Sequence, residues 1–232
     1  MARFMKRLLG TIAGGTAALA VAVKPRITGK PDMHEIEKYD YANRGFTDGG
    51  VCLPDTKEAF QRAVDHGYGI RTKAESPEML QETLTLINGQ VPVILTLEPE
   101  TGSLYRFCEK LFPVLDEYEG VFAIESVDPR VLSFFRSQRE EYIRGQIVDS
   151  AYVSGYSFRE QLSDFAIRNL LLNTKTEPDF ISCSIRDRKT ISLLLCRLIY
   201  RIPIVDWIVR DMHEYEQVRT DDQIVVFESI EP

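Results

Sequence analysis

Short apolar runs alternate along most of this chain with longer segments whose apolar residues recur every three or four positions. The first kind suits strands buried on both faces, and the second suits amphipathic helices. Strands are predicted over Tyr39–Ala42, Tyr68–Thr72, Val91–Leu97, Val121–Ser126, Ile143–Val148, Phe180–Ile185, Ile202–Val209 and Gln223–Glu228. Helices are predicted near Thr56–Asp65, Ser76–Ile87, Ser103–Tyr118, Pro129–Glu140, Phe158–Asn173, Thr190–Tyr200 and Asp211–Val218. Ser76-Pro77 and Asp128-Pro129 each place a capping side chain before a proline at the first helical position. Asn88-Gly89 and Glu119-Gly120 predict helix ends that turn through a left-handed residue. Such alternation implies parallel strands joined by crossover helices. Eight strands favour a closed (β/α) barrel over an open doubly wound sheet, although roughly 195 residues is short beside the ~250 typical of that fold.

Two helices stand out by composition. Phe165, Ile167, Leu170 and Leu171 in the segment Ser163–Leu172 are expected in the core. Thr190–Tyr200 is unusually apolar for the outer layer of a barrel. Core packing is its default, and a flat face toward a partner or a membrane surface is the alternative.

Residues 1–26 differ from the rest. Arg3, Lys6 and Arg7 precede Leu8–Val23, sixteen uncharged residues rich in Ala, Gly and Leu, and Lys24 and Arg26 follow. A spanning helix needs about 20 apolar residues, and at least about 17. The expectation is a membrane anchor, with a cleaved signal peptide at Ala18-Leu19-Ala20 or Ala20-Val21-Ala22 as runner-up. The basic cluster ahead of the run then puts the domain on the extracytoplasmic side, or makes it secreted. Residues 27–38 are polar, carry a proline and a glycine, and are assigned as a linker to a domain over residues 39–232.

Bulk composition narrows the classes further. A formal charge of −7 with no basic stripe argues against a nucleic-acid partner. Cys52, Cys108, Cys183 and Cys196 show no metal-ligand spacing, and Cys108 and Cys196 are expected as buried thiols. No glycine-rich phosphate loop, nucleophile elbow or zinc signature is present.

The candidate chemistry lies at the predicted strand ends, where α/β folds hold their functional residues. Tyr41-Ala42-Asn43-Arg44-Gly45, then Leu53-Pro54-Asp55-Thr56 with Ala59-Phe60, then His66-Gly67-Tyr68-Gly69-Ile70, resembles the opening of the glycerophosphodiester phosphodiesterases. That family reads Ala-His-Arg-Gly, Pro-Glu-Asn-Thr and Gly-x-x-x-Ile-Glu-x-Asp at these places. Further on, Val91–Glu98 resembles its strand ending Glu-x-Lys, and Ala123–Pro129 its Glu-Ser-Phe-Asn-Pro segment. Arg144-Gly145-Gln146-Ile147 resembles its Arg-Gly-Gln-Leu, and Asp206–Arg210 its Trp-containing strand. The resemblance runs from Tyr39 to the C-terminus. It lacks some fifty residues that the family carries between Ile70 and Glu75, including a strand ending His-Asp. The fold it implies is a (β/α) TIM-type barrel, shortened by one internal module and with its closure put in question by that loss.

The same resemblance implies two catalytic histidines and a divalent cation, Ca or Mg, held by carboxylates. The cation would stabilise charge on the phosphoryl oxygens, and the histidines would move protons. Here the first histidine position is Asn43, the acidic pair falls on Arg71 and Lys73, and the third carboxylate position is Thr96. The second histidine belonged to the missing module. His34, His66 and His213 are not at strand ends. No metal and no cofactor is therefore expected, and the catalytic set is expected to be empty.

Asn43, Arg44, Arg71, Lys73, Glu98, Glu125, Gln146, Trp207 and Arg186 are expected to line what remains of the site. Their charges either pair internally, as Arg71 or Lys73 with Glu98 or Glu125, or let Arg44, Arg71 and Lys73 hold a phosphate or carboxylate. The resulting expectation is a catalytically inactive relative that serves in binding, scaffolding or regulation. It would be membrane-anchored, with a small phosphorylated ligand or a protein as partner. The alternative is a phosphoric diester hydrolase of lipid metabolism with a site rebuilt on Glu98 and Glu125.

Overall fold

The structure, a computed structural model, describes residues 15, 17–50, 52–99, 103–151, 157–219 and 223–232. Eight parallel strands follow in chain order around a closed barrel: β1 (Tyr41–Asn43), β2 (Gly69–Lys73), β3 (Val93–Thr96), β4 (Phe122–Ser126), β5 (Ile143–Val148), β6 (Phe180–Ser184), β7 (Ile204–Val209) and β8 (Gln223–Phe227). Closure is direct, with Tyr41 opposite Val226 and Ala42 opposite Phe227. The shortened and incompletely closed barrel expected from the sequence is thus corrected. β2 leads through the helix Pro77–Ile87 to its neighbour β3, and all eight strands are present without any further module.

The helices form for the reasons legible in the sequence. Thr56, Ser76, Ser103, Asp128, Ser157 and Asp211 each accept a backbone N–H at a helix start. Asn88 ends its helix left-handed at φ 48°, as predicted. Glu117 closes the next helix in the right-handed region, so Gly120 is not a left-handed cap.

Inside the barrel, alternate residues of the strands point inward. Tyr41, Ile94, Ala123, Ile143, Phe180, Val205, Ile224 and Val226 pack there as one cluster. Gly145 makes room for that layer, since a Cβ at this position would lie 2.2 Å from the ring of Phe180. A larger apolar layer lies between the strands and the helices.

The segment assigned as a linker closes the N-terminal end of the barrel. Met33 and Ile36 are buried against the inward-facing cluster, and the Tyr41 hydroxyl donates to the Ile36 carbonyl at 2.9 Å. Buried Arg26 donates to the Glu140 carbonyl at 2.8 Å and faces Asp179 at 3.7 Å. The membrane anchor is corrected as well. Among the described residues no helix is long and apolar enough to cross a membrane. Residues 1–14 and 16, in which half of the expected span falls, lie outside the described residues. The end of the run is docked on the barrel flank. Val23 is buried with Leu193 and Cys196, and the Tyr200 hydroxyl donates to the Ala20 carbonyl at 2.8 Å. The membrane-bound placement inferred from the anchor falls with it.

A polar cluster lies outside the barrel wall. Fully buried Asp206 accepts from Arg188 Nε at 3.1 Å and Cys183 Sγ at 3.4 Å, and Arg188 also donates to Gln223 at 2.9 Å. Burial pushes the Asp206 carboxyl above its usual range, against the pull of Arg188. Such a group binds its proton more tightly folded than unfolded. Its unfavourable contribution is therefore relieved as pH falls through the raised folded value toward the unfolded one, about 3.9. Wild type should gain stability relative to Asp206→Asn between pH 7 and pH 4 in urea denaturation. A difference constant across that range would show that Asp206 does not titrate there.

Candidate functional site at the barrel mouth

The C-terminal strand ends open onto a cavity of about 380 Å³. One side is polar, built by Asn43 and Arg44 after β1, Arg71 and Lys73 on β2, Thr96 on β3 and Glu98 just beyond it. The other is apolar, built by Val127, Ile147, Trp207 and Ile208. Arg210, Glu228 and Asp149 complete the rim.

The loop after β1 sets the first of these residues. Gly45 has φ +88°, and a Cβ there would lie 2.7 Å from the Ala59 backbone, so only glycine lets the chain press against the helix Lys57–Asp65. Arg44 precedes it at φ 60° and hydrogen-bonds through its own N–H to the Arg71 carbonyl at 2.6 Å. Its guanidinium reaches Asp55 at 2.5 Å, and Asp55 also accepts from Thr72 at 3.1 Å.

Below the opening lies a buried pair. Glu125 is fully buried, and its Oε1 accepts from Arg71 Nε at 2.7 Å, Arg71 Nη2 at 2.6 Å and Thr96 Oγ1 at 2.8 Å. Arg71 also approaches Asn43 Oδ1 at 3.4 Å, and its guanidinium sits 5.0 Å from the centroid of the Trp207 ring. Asn43 donates in turn to Glu228 at 3.1 Å. Nearer solvent, Lys73 meets Glu98 at 2.6 Å and Arg210 meets Glu228 at 2.7 Å. Each of the four cations lining the cavity therefore has a carboxylate partner.

The structure brings together Asn43, Arg44, Arg71, Lys73, Thr96, Glu98, Glu125 and Trp207, but not Gln146 or Arg186. Gln146 points away from the barrel axis, and its amide donates to the carbonyls of Ser126, Val127 and Ile147. It braces the β4 and β5 ends from behind. Inward-facing Ile143 and Ile147 put Gln146 on the other face by simple alternation. Arg186 is exposed in the turn after β6 and does not line the cavity. Arg210, Glu228 and Asp149 were not anticipated, although each stands at or just beyond a strand's C-terminal end, which is the available signal.

The residues at the mouth do not fit a divalent cation. The positions of the acidic pair carry a guanidinium and an ammonium, which repel it. One oxygen of Glu125 is occupied by three donors, and only Oε2 is unpartnered. Among the described residues no group of three or more His, Cys, Asp or Glu side chains is placed to hold a metal.

No family model matches the chain, and no curated protein matches it. Solved structures do. A phosphodiesterase of Oleispira antarctica, determined with its product sn-glycerol-3-phosphate, is 12% identical with a TM-score of 0.61, over 82% of this chain and 92% of that one. A glycerophosphodiester phosphodiesterase of Parabacteroides distasonis is 8% identical with a TM-score of 0.62, over 82% and 92%. One from Agrobacterium tumefaciens is 11% identical with a TM-score of 0.56, over 82% and 96%. At such identities the likeness establishes the fold, a glycerophosphodiester phosphodiesterase-like barrel.

Proposed function

We propose that this chain is a non-catalytic barrel of the glycerophosphodiester phosphodiesterase type, acting as a binding, scaffold or regulatory domain. The observation that carries this reading is the Arg71–Glu125 pair with Thr96, which fills the region where the resemblance implies a metal and its carboxylates. Among the described residues no histidine lines the cavity. A reaction needing proton transfer near neutral pH would have to draw on a carboxylate, and Glu98, Glu125 and Glu228 are engaged by cations, which leaves Asp149 at the rim.

The test is direct. The purified chain, offered a glycerophosphodiester with Ca²⁺ or Mg²⁺, should release glycerol 3-phosphate no faster than the protein-free control. Turnover that a chelator abolishes would reject the reading and favour the rebuilt hydrolase.

A second reading, capture of a small anion by Arg44, Arg71 and Lys73, is favoured by one observation. The side chains of Arg44 and Lys73 are each about half exposed at the cavity, so a phosphate or carboxylate reaches them without unfolding the site. Each is already paired, so the anion must displace or join a carboxylate. A ligand at 100 times its Kd stabilises the native state by about 2.7 kcal/mol. For a chain of this size that raises Tm by roughly 5–10 °C, at about 2–4 °C per kcal/mol. Glycerol 3-phosphate or inorganic phosphate should produce such a rise in wild type, and Arg44→Ala/Lys73→Ala should lose it. No rise in wild type leaves the scaffold reading alone.

A further inference from the structure

At the opposite end of the barrel from the mouth lies a cavity of about 660 Å³. It opens where β7 and β8 begin, beside the end of the helix Ile191–Tyr200. Buried Ile202, Ile204 and Ile224 give it an apolar wall. Arg197, Arg201, Gln223 and Glu37 supply its polar groups. Volumes of this size are typical of small-molecule sites, which run from about 300 to 1,000 Å³.

Two features separate this cavity from a solvated surface groove. The cations at the mouth each have a carboxylate partner. Among the described residues the side chains of Arg197 and Arg201 have neither an ion pair nor a hydrogen bond. Both belong to the last turn of the helix and its C-cap, where a cation offsets the helix dipole. That role needs no cavity and no further polar group. Gln223 is such a group. It is 4% exposed, its Oε1 accepts from Arg188 at 2.9 Å, and its Nε2 is buried with no partner among the described residues. Buried donors are nearly always satisfied, so the free amide calls for an acceptor at this wall.

We propose that this cavity is a second ligand site, for an organic monocarboxylate with an aliphatic body. Charge selects the head group. Two guanidiniums against Glu37 leave one net positive charge, and the carbonyl end of the helix, about half a negative charge, reduces it further. One carboxylate balances that field, and a phosphate dianion would exceed it. Guanidiniums also match the two oxygens of a carboxylate with N–H donors at fixed angles. The isoleucine wall selects the rest of the molecule. Apolar carbons gain by leaving water there, and hydroxyl groups would find no side-chain partner on it. Barrel enzymes hold their chemistry at the other end, so the site is one of binding and not of reaction.

Isothermal titration of the full chain with sodium octanoate tests this. Wild type should bind octanoate saturably, and acetate at least tenfold more weakly because it lacks the aliphatic body. Arg197→Ala and Arg201→Ala should each weaken octanoate at least tenfold. Both side chains are exposed, so the ligand-free thermal midpoint should change by less than ~5 °C, the scale of one helix-end cation. Lys73→Ala, at the mouth, should bind octanoate as wild type does. No saturable binding in wild type overturns the proposal and assigns the arginines to solvent or to Asp221 and Asp222, which precede Gln223 in the chain. Binding that neither arginine substitution weakens overturns it too, as does acetate binding equal to octanoate. Loss of binding in Lys73→Ala would place the octanoate at the mouth and equally reject the lower site.

Discussion

Arg71→Ala should lower the unfolding free energy by about 3–5 kcal/mol, the range for breaking a buried ion pair from one side. The cost is not the value of the pair itself. It is the desolvation of the Glu125 carboxylate, which has no solvent exposure and would keep only Thr96 as a donor. Removing both charges should behave differently. Arg71→Met with Glu125→Leu replaces the pair by apolar groups of similar bulk beside Ile147 and Trp207, and such exchanges are often neutral or stabilising. Urea denaturation of the two variants separates these cases. If Arg71→Ala costs less than about 1 kcal/mol, Glu125 finds water or another donor, and the pair does not organise the mouth. The result bears on function as well as stability. A pair that costs this much to break is a fixed wall of the cavity and not a cation waiting for a ligand, which leaves Arg44 and Lys73 as the adaptable groups.

Ile36→Ala should cost about 2–5 kcal/mol, as large-to-small changes at buried sites do. Ile36 is fully buried in the cluster that fills the lower barrel, and its carbonyl accepts the Tyr41 hydroxyl. The cavity it leaves would be bounded by strand side chains held in register around a closed barrel, which limits their collapse. Ile27, half exposed in the same segment, is the control, and Ile27→Ala should change stability by less than about 0.5 kcal/mol. Equal effects at the two positions would mean that the segment is only loosely attached. The expected contrast makes residues 23–37 a working part of the barrel domain, not a tether to it.

Much of the site was legible because inward and outward positions alternate along a strand and functional residues gather at one end of it. Asn43, Arg71, Thr96 and Glu125 stand on neighbouring strands β1 to β4, within or just beneath the cavity wall. The same alternation sends Gln146 outward, and applying it to β5 would have removed that residue from the candidates. The pairing of the charges was left open, since Arg71 and Lys73 could each meet Glu98 or Glu125. Depth resolves it. Arg71 lies level with the buried carboxylate and Lys73 two residues higher, beside the exposed one.

Local chemistry determined the elements. Caps, prolines and the two hydrophobic periods act within a few residues of one another, so most strands and helices could be placed with only small shifts at their ends, although the helix expected over Phe158–Asn173 ends at Arg168 and the short helix His34–Glu37 was not anticipated. What those rules cannot reach is any contact between residues far apart in the chain. The polar segment before β1 could be recognised as a plug only once Met33 and Ile36 met side chains from the far strands. The apolar stretch ending at Val23 likewise found its partners at Asn173 and Cys196. Barrel closure is of the same kind, since β1 and β8 meet from opposite ends of the domain and only the assembled sheet brings them together.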